Sequence, residues 1–129
     1  MELECLNING LSNVYEVSVF KKEFSKAVSE AWRSIPPFQR FQKKLLQDLA
    51  VLEQEKEHAI DLAQFELLED NEKIYSIRHP ETKKNVRVLY YISDDGEIIL
   101  LKAFLEKNDN DYRLAIRSAK NRIKWLLSD

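Results

Sequence analysis

The stretch Asn85-Val-Arg-Val-Leu-Tyr-Tyr-Ile-Ser-Asp-Asp-Gly-Glu-Ile-Ile-Leu-Leu-Lys-Ala-Phe-Leu-Glu-Lys107 constrains the fold most, because it writes a β-hairpin. Strand side chains alternate, so Val86, Val88, Tyr90 and Ile92 take one face and Arg87, Leu89 and Tyr91 the other. Asp94-Asp95-Gly96 supplies residues that tolerate the positive φ of a tight turn, and Ile98 to Phe104 return as the partner strand. Arg87 and Lys102 interrupt apolar strands. A cation held there by rigid backbone needs either a structural partner or an anionic ligand.

Around the hairpin the period changes along the chain. Val14 to Phe20 alternates as a first strand, with Tyr15, Val17 and Val19 on one face. Phe24, Ala27, Val28, Ala31 and Trp32 then form a helical stripe that Pro36-Pro37 ends. A second helix follows with proline in its first turn, burying Phe38, Phe41, Leu45, Leu49 and Leu52 and running to about Lys56. Two short-linked helices of this kind form an antiparallel pair whose apolar face must cover a sheet. Residues 57–71 fit neither period and read as a connection with some helix. Ile74, Ser76 and Arg78 share one face of a further strand and Tyr75 and Ile77 the other. Asn108, Asp109 and Asp111 offer caps for a last helix. On it Tyr112, Ile116, Ala119, Ile123, Leu126 and Leu127 make an apolar stripe, beside a basic one of Arg113, Arg117, Lys120 and Lys124. The expectation is an α+β domain in the order β-α-α-β-β-β-α. Its small twisted antiparallel sheet carries the helical pair on one face, and a C-terminal helix closes the chain. Residues 1–129 make one domain, with 1–13 disordered or an added N-terminal segment.

Composition narrows the chemistry. The chain of 129 residues is 44% hydrophobic and 33% charged with two glycines, which describes an ordered domain. Lys+Arg 20 against Asp+Glu 22 gives −2, unlike a generic nucleic-acid binder. The charge is divided unevenly. Residues 1–70 hold 8 cations and 13 acids, and residues 71–129 hold 12 and 9. Two glycines exclude phosphate-binding loops and dinucleotide fingerprints, and one cysteine with two histidines excludes a four-ligand zinc site within one chain, so no cofactor and no metal are expected. Cys5 reads as an inert thiol, and Glu53, Glu55, Glu57 and Asp61 as a solvated helix face. With no long apolar run and an acidic start, the expected setting is the cytoplasm, with no membrane partner.

The order of elements, the strand ending Ile77-Arg78, the Arg87-Val-Leu-Tyr90 strand and the Leu100-Leu-Lys-Ala-Phe-Leu-Glu-Lys107 exit together resemble the RelE/ParE superfamily of toxin–antitoxin toxins. The closest look is to its HigB-like, phage-associated branch, over about residues 14–127. The resemblance implies ribosome-dependent cleavage of mRNA without metal, in which the RNA 2′-OH attacks the adjacent phosphate. It also implies the ribosome and mRNA as partners, and a cognate antitoxin, of helix-turn-helix type in that branch. Arg87 matches the mid-sheet arginine and is the candidate phosphate-stabilising cation; a structural arginine paired with a carboxylate across the sheet is the alternative. Arg78 and Lys107 match the other cations of the catalytic set, and His79 is a candidate general base or simply a turn residue. Lys83, Lys84, Lys102, Tyr91, Tyr112, Arg113 and Arg117 are candidate RNA contacts, against the plainer readings of core packing for Tyr112 and solubility for the helix arginines. Ile74 and Ser76 stand where RelE proper has lysines, and Glu106 stands where the HigB-like branch commonly has the first of two. A non-catalytic relative acting by protein binding, on gyrase or on an antitoxin, is the rival reading.

Overall fold

A computed structural model of the chain describes residues 2–6, 11–31, 35–69, 73–78 and 85–128, those at 35–41, 69 and 85 by backbone alone. Strands β1 (Leu3–Cys5) and β2 (Val14–Val17) precede helices α1 (Phe20–Ala31) and α2 (Ile35–Glu55). A 3-10 turn, Lys56–Asp61, leads into β3 (Phe65–Glu69), β4 (Ile74–Ile77), β5 (Asn85–Ile92) and β6 (Ile98–Glu106), and α3 (Asp109–Leu127) follows.

The sheet order is β1-β2-β6-β5-β4-β3. The last four strands form an antiparallel meander, but β2 runs parallel to β6 through Val14↔Ile98 to Glu16↔Leu100. The sheet is therefore mixed where the sequence suggests an antiparallel one. A helical crossover separates β2 from the meander, and such crossovers permit parallel pairing that no local turn signals. The leading segment adds an edge strand: β1 pairs with β2 from Leu3↔Val17 to Cys5↔Tyr15. The connection read as partly helical resolves into the 3-10 turn and β3, so α2 is followed by four strands, one more than the sequence reading counts.

Strand alternation divides the interior into two cores. On one face Val86, Val88, Tyr90, Ile77 and Leu100 pack with Phe24, Val28, Leu49 and Leu52 of the helical pair. On the other Ile74, Leu89, Ile99 and Leu101 pack with Ala115, Ile116, Ala119 and Ile123 of α3. The expected faces of β5 and β4 hold. In β2 they do not: Val17 joins the helical-pair core while Tyr15 packs against the α3 core, because the strand ends at Val17 and the chain turns into α1. Leu127 is 68% exposed, and Ala115 takes a place on the buried face of α3 instead. Trp32 lies outside the described residues, as do the side chains of Phe38 and Phe41.

Two local features set the hairpin. Gly96 has φ +82°, and Ser93 and Glu97 close the loop through the Ser93 N–H to the Glu97 carbonyl at 2.9 Å. Leu101 is the extra residue of a bulge, since Leu89 pairs with Lys102 and Tyr90 with Leu100. A bulge breaks the alternation and re-aims the side chains beyond it. Lys102 accordingly leaves the apolar row and reaches Glu23 of α1 at 2.8 Å.

Candidate functional site

The α3-facing side of the sheet carries a row of polar residues across three strands and onto a fourth. Glu66 on β3 lies opposite Ser76 on β4, Arg87 lies on the next strand, and Glu106 ends β6. Their alternation with Phe65, Tyr75, Ile77, Val86 and Val88 follows from the strand period, which sends the apolar set to the helical pair.

Arg87 is buried, at 9% exposure, and its guanidinium is held on several sides. One terminal nitrogen donates to Glu66 Oε1, and the same nitrogen donates to Ser76 Oγ at 3.2 Å. Its Nε stands 3.0 Å from Glu106 Oε2 in an ion pair, and its Cζ lies 5.7 Å from the centroid of the Tyr112 ring on α3. Burial pulls the Arg87 pKa down, but Glu66 and Glu106 more than offset it, so the group is held above its ordinary value and stays cationic. Arg78 sits at the end of β4, with its Nε donating to the Ala63 carbonyl at 3.1 Å and a terminal nitrogen 4.0 Å from Glu66 Oε2. Glu66 thus bridges two arginines, with a side chain still 32% exposed. Two arginines face two glutamates in this cluster.

The other candidates lie elsewhere. Lys107 follows Glu106, and its ammonium pairs with Glu30 of α1 at 3.5 Å. Lys102 and Arg122 both bind Glu23, at 2.8 and 2.7 Å, joining α1, β6 and α3; Arg122 also donates to the Leu101 carbonyl. Burial raises the Glu23 carboxyl, yet Arg122 and Lys102 outweigh it and hold the group below its ordinary value. Tyr91 packs, half-buried, against the α3 core. Arg113 and Arg117 are exposed on α3, whose first turn is capped by Asn108 accepting from the Asp111 N–H at 3.0 Å. His79, Lys83 and Lys84 lie outside the described residues. Among the described residues no group of three or more His, Cys, Asp or Glu is arranged to hold a metal ion, and no helix is long and apolar enough to cross a membrane.

The sequence reading brings Arg78, Arg87 and Tyr112 to this place and misses Glu66. The available signal was the alternation Phe65-Glu66-Leu67, a single acid between two apolar residues.

Fold and cluster together define an α+β domain whose sheet has a helical pair on one face and, beside the C-terminal helix on the other, a partly open carboxylate–arginine site. The chain belongs to the family described as Phage derived protein Gp49-like (DUF891), whose model matches residues 30–124, from the end of α1 through most of α3. That family is compatible with a toxin of a toxin–antitoxin system, and such a system implies an antitoxin partner. No curated protein and no solved structure matches the chain.

Proposed function

We propose that the protein is the toxin of a toxin–antitoxin pair, of RelE/HigB type, and that it cleaves translated mRNA on the ribosome without a metal. The observation that carries this reading is Glu66 set between Arg87 and Arg78 on a partly open sheet face. Cleavage through the RNA 2′-OH closes a 2′,3′-cyclic phosphate as the P–O5′ bond breaks and the 5′-oxygen leaves with a proton from solvent; it needs a group to take the hydroxyl proton and cations to stabilise the charge that grows on the phosphate. An ionised carboxylate accepts the proton, and guanidinium N–H groups match phosphate oxygens in pairs. Glu66 takes the first role, with Arg87 and Arg78 in the second. Tyr112, whose ring centroid lies 5.7 Å from the same guanidinium, is the aromatic side chain nearest to hand for a base. The reading includes an antitoxin with a helix-turn-helix domain, whose gene would lie beside this one.

Inducible expression is expected to arrest growth and to leave cuts within translated transcripts. Protein treated with EDTA and then freed of it should cut mRNA on intact, magnesium-stabilised ribosomes as well as untreated protein does. Glu66→Gln should reduce cleavage by about 10²-fold or more, the range of a general base, while the variant remains folded. Unchanged cleavage by that variant removes Glu66 from the mechanism.

A second reading has its own observation. Glu106 already occupies the Nε side of Arg87, so the arginine can be a structural tie beneath a protein-binding surface. Growth arrest with intact transcripts, unaffected by Glu66→Gln, would select that reading.

A further inference from the structure

The outer edge of β6 loses its cover at Leu100. Up to that residue β2 pairs with it, and β2 then ends at Val17 as the chain turns into α1. β6 runs on to Glu106, and among the described residues no strand lies on that side of it. The register shows which backbone groups face the open side. The Ser93 N–H meets the Glu97 carbonyl, so by strand alternation Tyr91, Leu89, Arg87 and Asn85 also turn their N–H and C=O groups toward β6. Beyond the bulge their partners are Lys102, Phe104 and Glu106. The backbone groups of Ala103 and Leu105 therefore point away from β5, and among the described residues they meet no partner there. Ala103 is 3% exposed, so water does little for its N–H and C=O, and buried backbone groups left unpaired are costly. A cleft of about 460 Å³ adjoins this edge, floored by Lys102 to Leu105 and walled by Ala27 of α1 and by Leu114 and Ser118 of α3. Glu23, Lys102 and Arg122 tie the three elements at one end of it, and the Lys107–Glu30 pair, exposed to solvent, stands at the other.

We infer that this cleft takes an extended segment of a partner polypeptide, which adds a strand to the sheet beside β6 in the place that β2 vacates. The outward groups of Ala103 and Leu105 require a backbone donor and acceptor repeated at every second residue, and an edge-pairing strand supplies that pattern. Charge does not choose the occupant, since three carboxylates and three lysines line the cleft. The side chains of the added strand alternate between the α1 wall and the α3 wall. On the α3 wall Leu114, 51% exposed, and Phe104 present apolar surface, so the residues that face them are apolar. The recess excludes a second copy of this chain, because paired strands stand about 4.8 Å apart whereas packed helices need about 8–10 Å, and α1 and α3 flank the edge on both sides. The cleft includes none of Glu66, Arg78 and Arg87, so the inference holds whether or not the protein cleaves RNA.

The test is an amide NMR titration of the full chain with N-acetyl-threonyl-valyl-threonyl-valyl-threoninamide and two N-methylated forms of it, one methylated on both valine nitrogens and one on the nitrogens of the second and third threonines. The parent peptide is expected to move the Ala103 and Leu105 amide protons downfield and to slow their exchange with solvent. A strand presents only one alternate set of N–H groups to β6, so one methylated form should bind about tenfold more weakly and the other like the parent. Leu114→Asn, at an exposed position that leaves the fold intact, should weaken the parent about fivefold. Equal binding by both methylated forms, or loss by both, overturns the proposal. So do shifts that leave Ala103 and Leu105 unmoved, a Leu114→Asn variant that binds undiminished, and the absence of shifts with millimolar peptide. Sedimentation of the chain as a dimer that the peptide dissociates overturns it as well, by giving the edge to a second copy.

Discussion

Arg87 is where the two functional readings meet, and its surroundings allow a structural prediction that holds under both. Removing one member of a buried ion cluster strands the charges left behind, at a cost of about 3–5 kcal/mol. Arg87→Ala leaves Glu66 and Glu106 without the cation between them, although both are partly exposed and water will recover some of the loss. Urea unfolding should therefore show a loss of about 3 kcal/mol for Arg87→Ala. The double variant Glu66→Gln with Glu106→Gln should lose less, because it keeps the guanidinium with neutral acceptors, whereas Arg87→Ala takes the shared cation from two acids. Equal losses would mean that the cluster acts through packing against Tyr112 and not through charge. The consequence for assays is direct: inactivity of Arg87→Ala alone does not establish catalysis, and Glu66→Gln is the cleaner probe. Arg87 was legible in the sequence because it sits in eight residues of unbroken alternation. Glu66 was not, because β3 emerges from a 3-10 turn and shifts register between Leu67 and Glu69, so its apolar residues match neither period.

Elements are tied together by Glu23 and Glu16, whose carboxyls are displaced in opposite directions. Glu23 lies below its ordinary value of 4.5, so the stability it contributes is complete above that value and is lost as pH falls through its folded pKa. Glu16 lies above 4.5, so its ionised form costs stability that acidification recovers on the way from neutral pH down to 4.5. Urea midpoints from neutral to about pH 3 should separate the two. Glu23→Gln removes part of the decline below 4.5, and Glu16→Gln removes part of the gain above it. A Glu23→Gln variant with an undiminished acid decline would show that the α1–β6–α3 clasp is held by other contacts. Neither carboxyl stands out in the sequence. The helices and the hairpin were legible because their periods are local. The β2–β6 pairing and the clasp depend on residues about 80 to 100 positions apart, which no window registers.

At the scale of the whole molecule, a chain of net charge −2 must bind RNA, if it does so, through a local set of cations and not through a general field. Among the described residues, Lys102 and Arg122 are committed to Glu23 and Lys107 pairs with Glu30, whereas Arg78 and Arg87 share a partly open cluster and Arg113 and Arg117 are exposed on α3. Counterion release turns this inventory into a number, since each phosphate contact with a single strand contributes about −0.7 to the slope of log K against log salt. Contact through Arg78 and Arg87 alone gives about −1.4, and extension to Arg113, Arg117 and Lys107 gives about −3.5. Fluorescence anisotropy with a short RNA carrying 2′-deoxy substitutions, which block cleavage, should return the shallower slope on the proposed reading. Arg113→Ala with Arg117→Ala should then leave the slope unchanged. A slope near the steeper value that falls by about 1.4 in that double variant would move the RNA path from the sheet cluster onto the exposed face of α3. Glu66 would then no longer be placed to meet the 2′-OH.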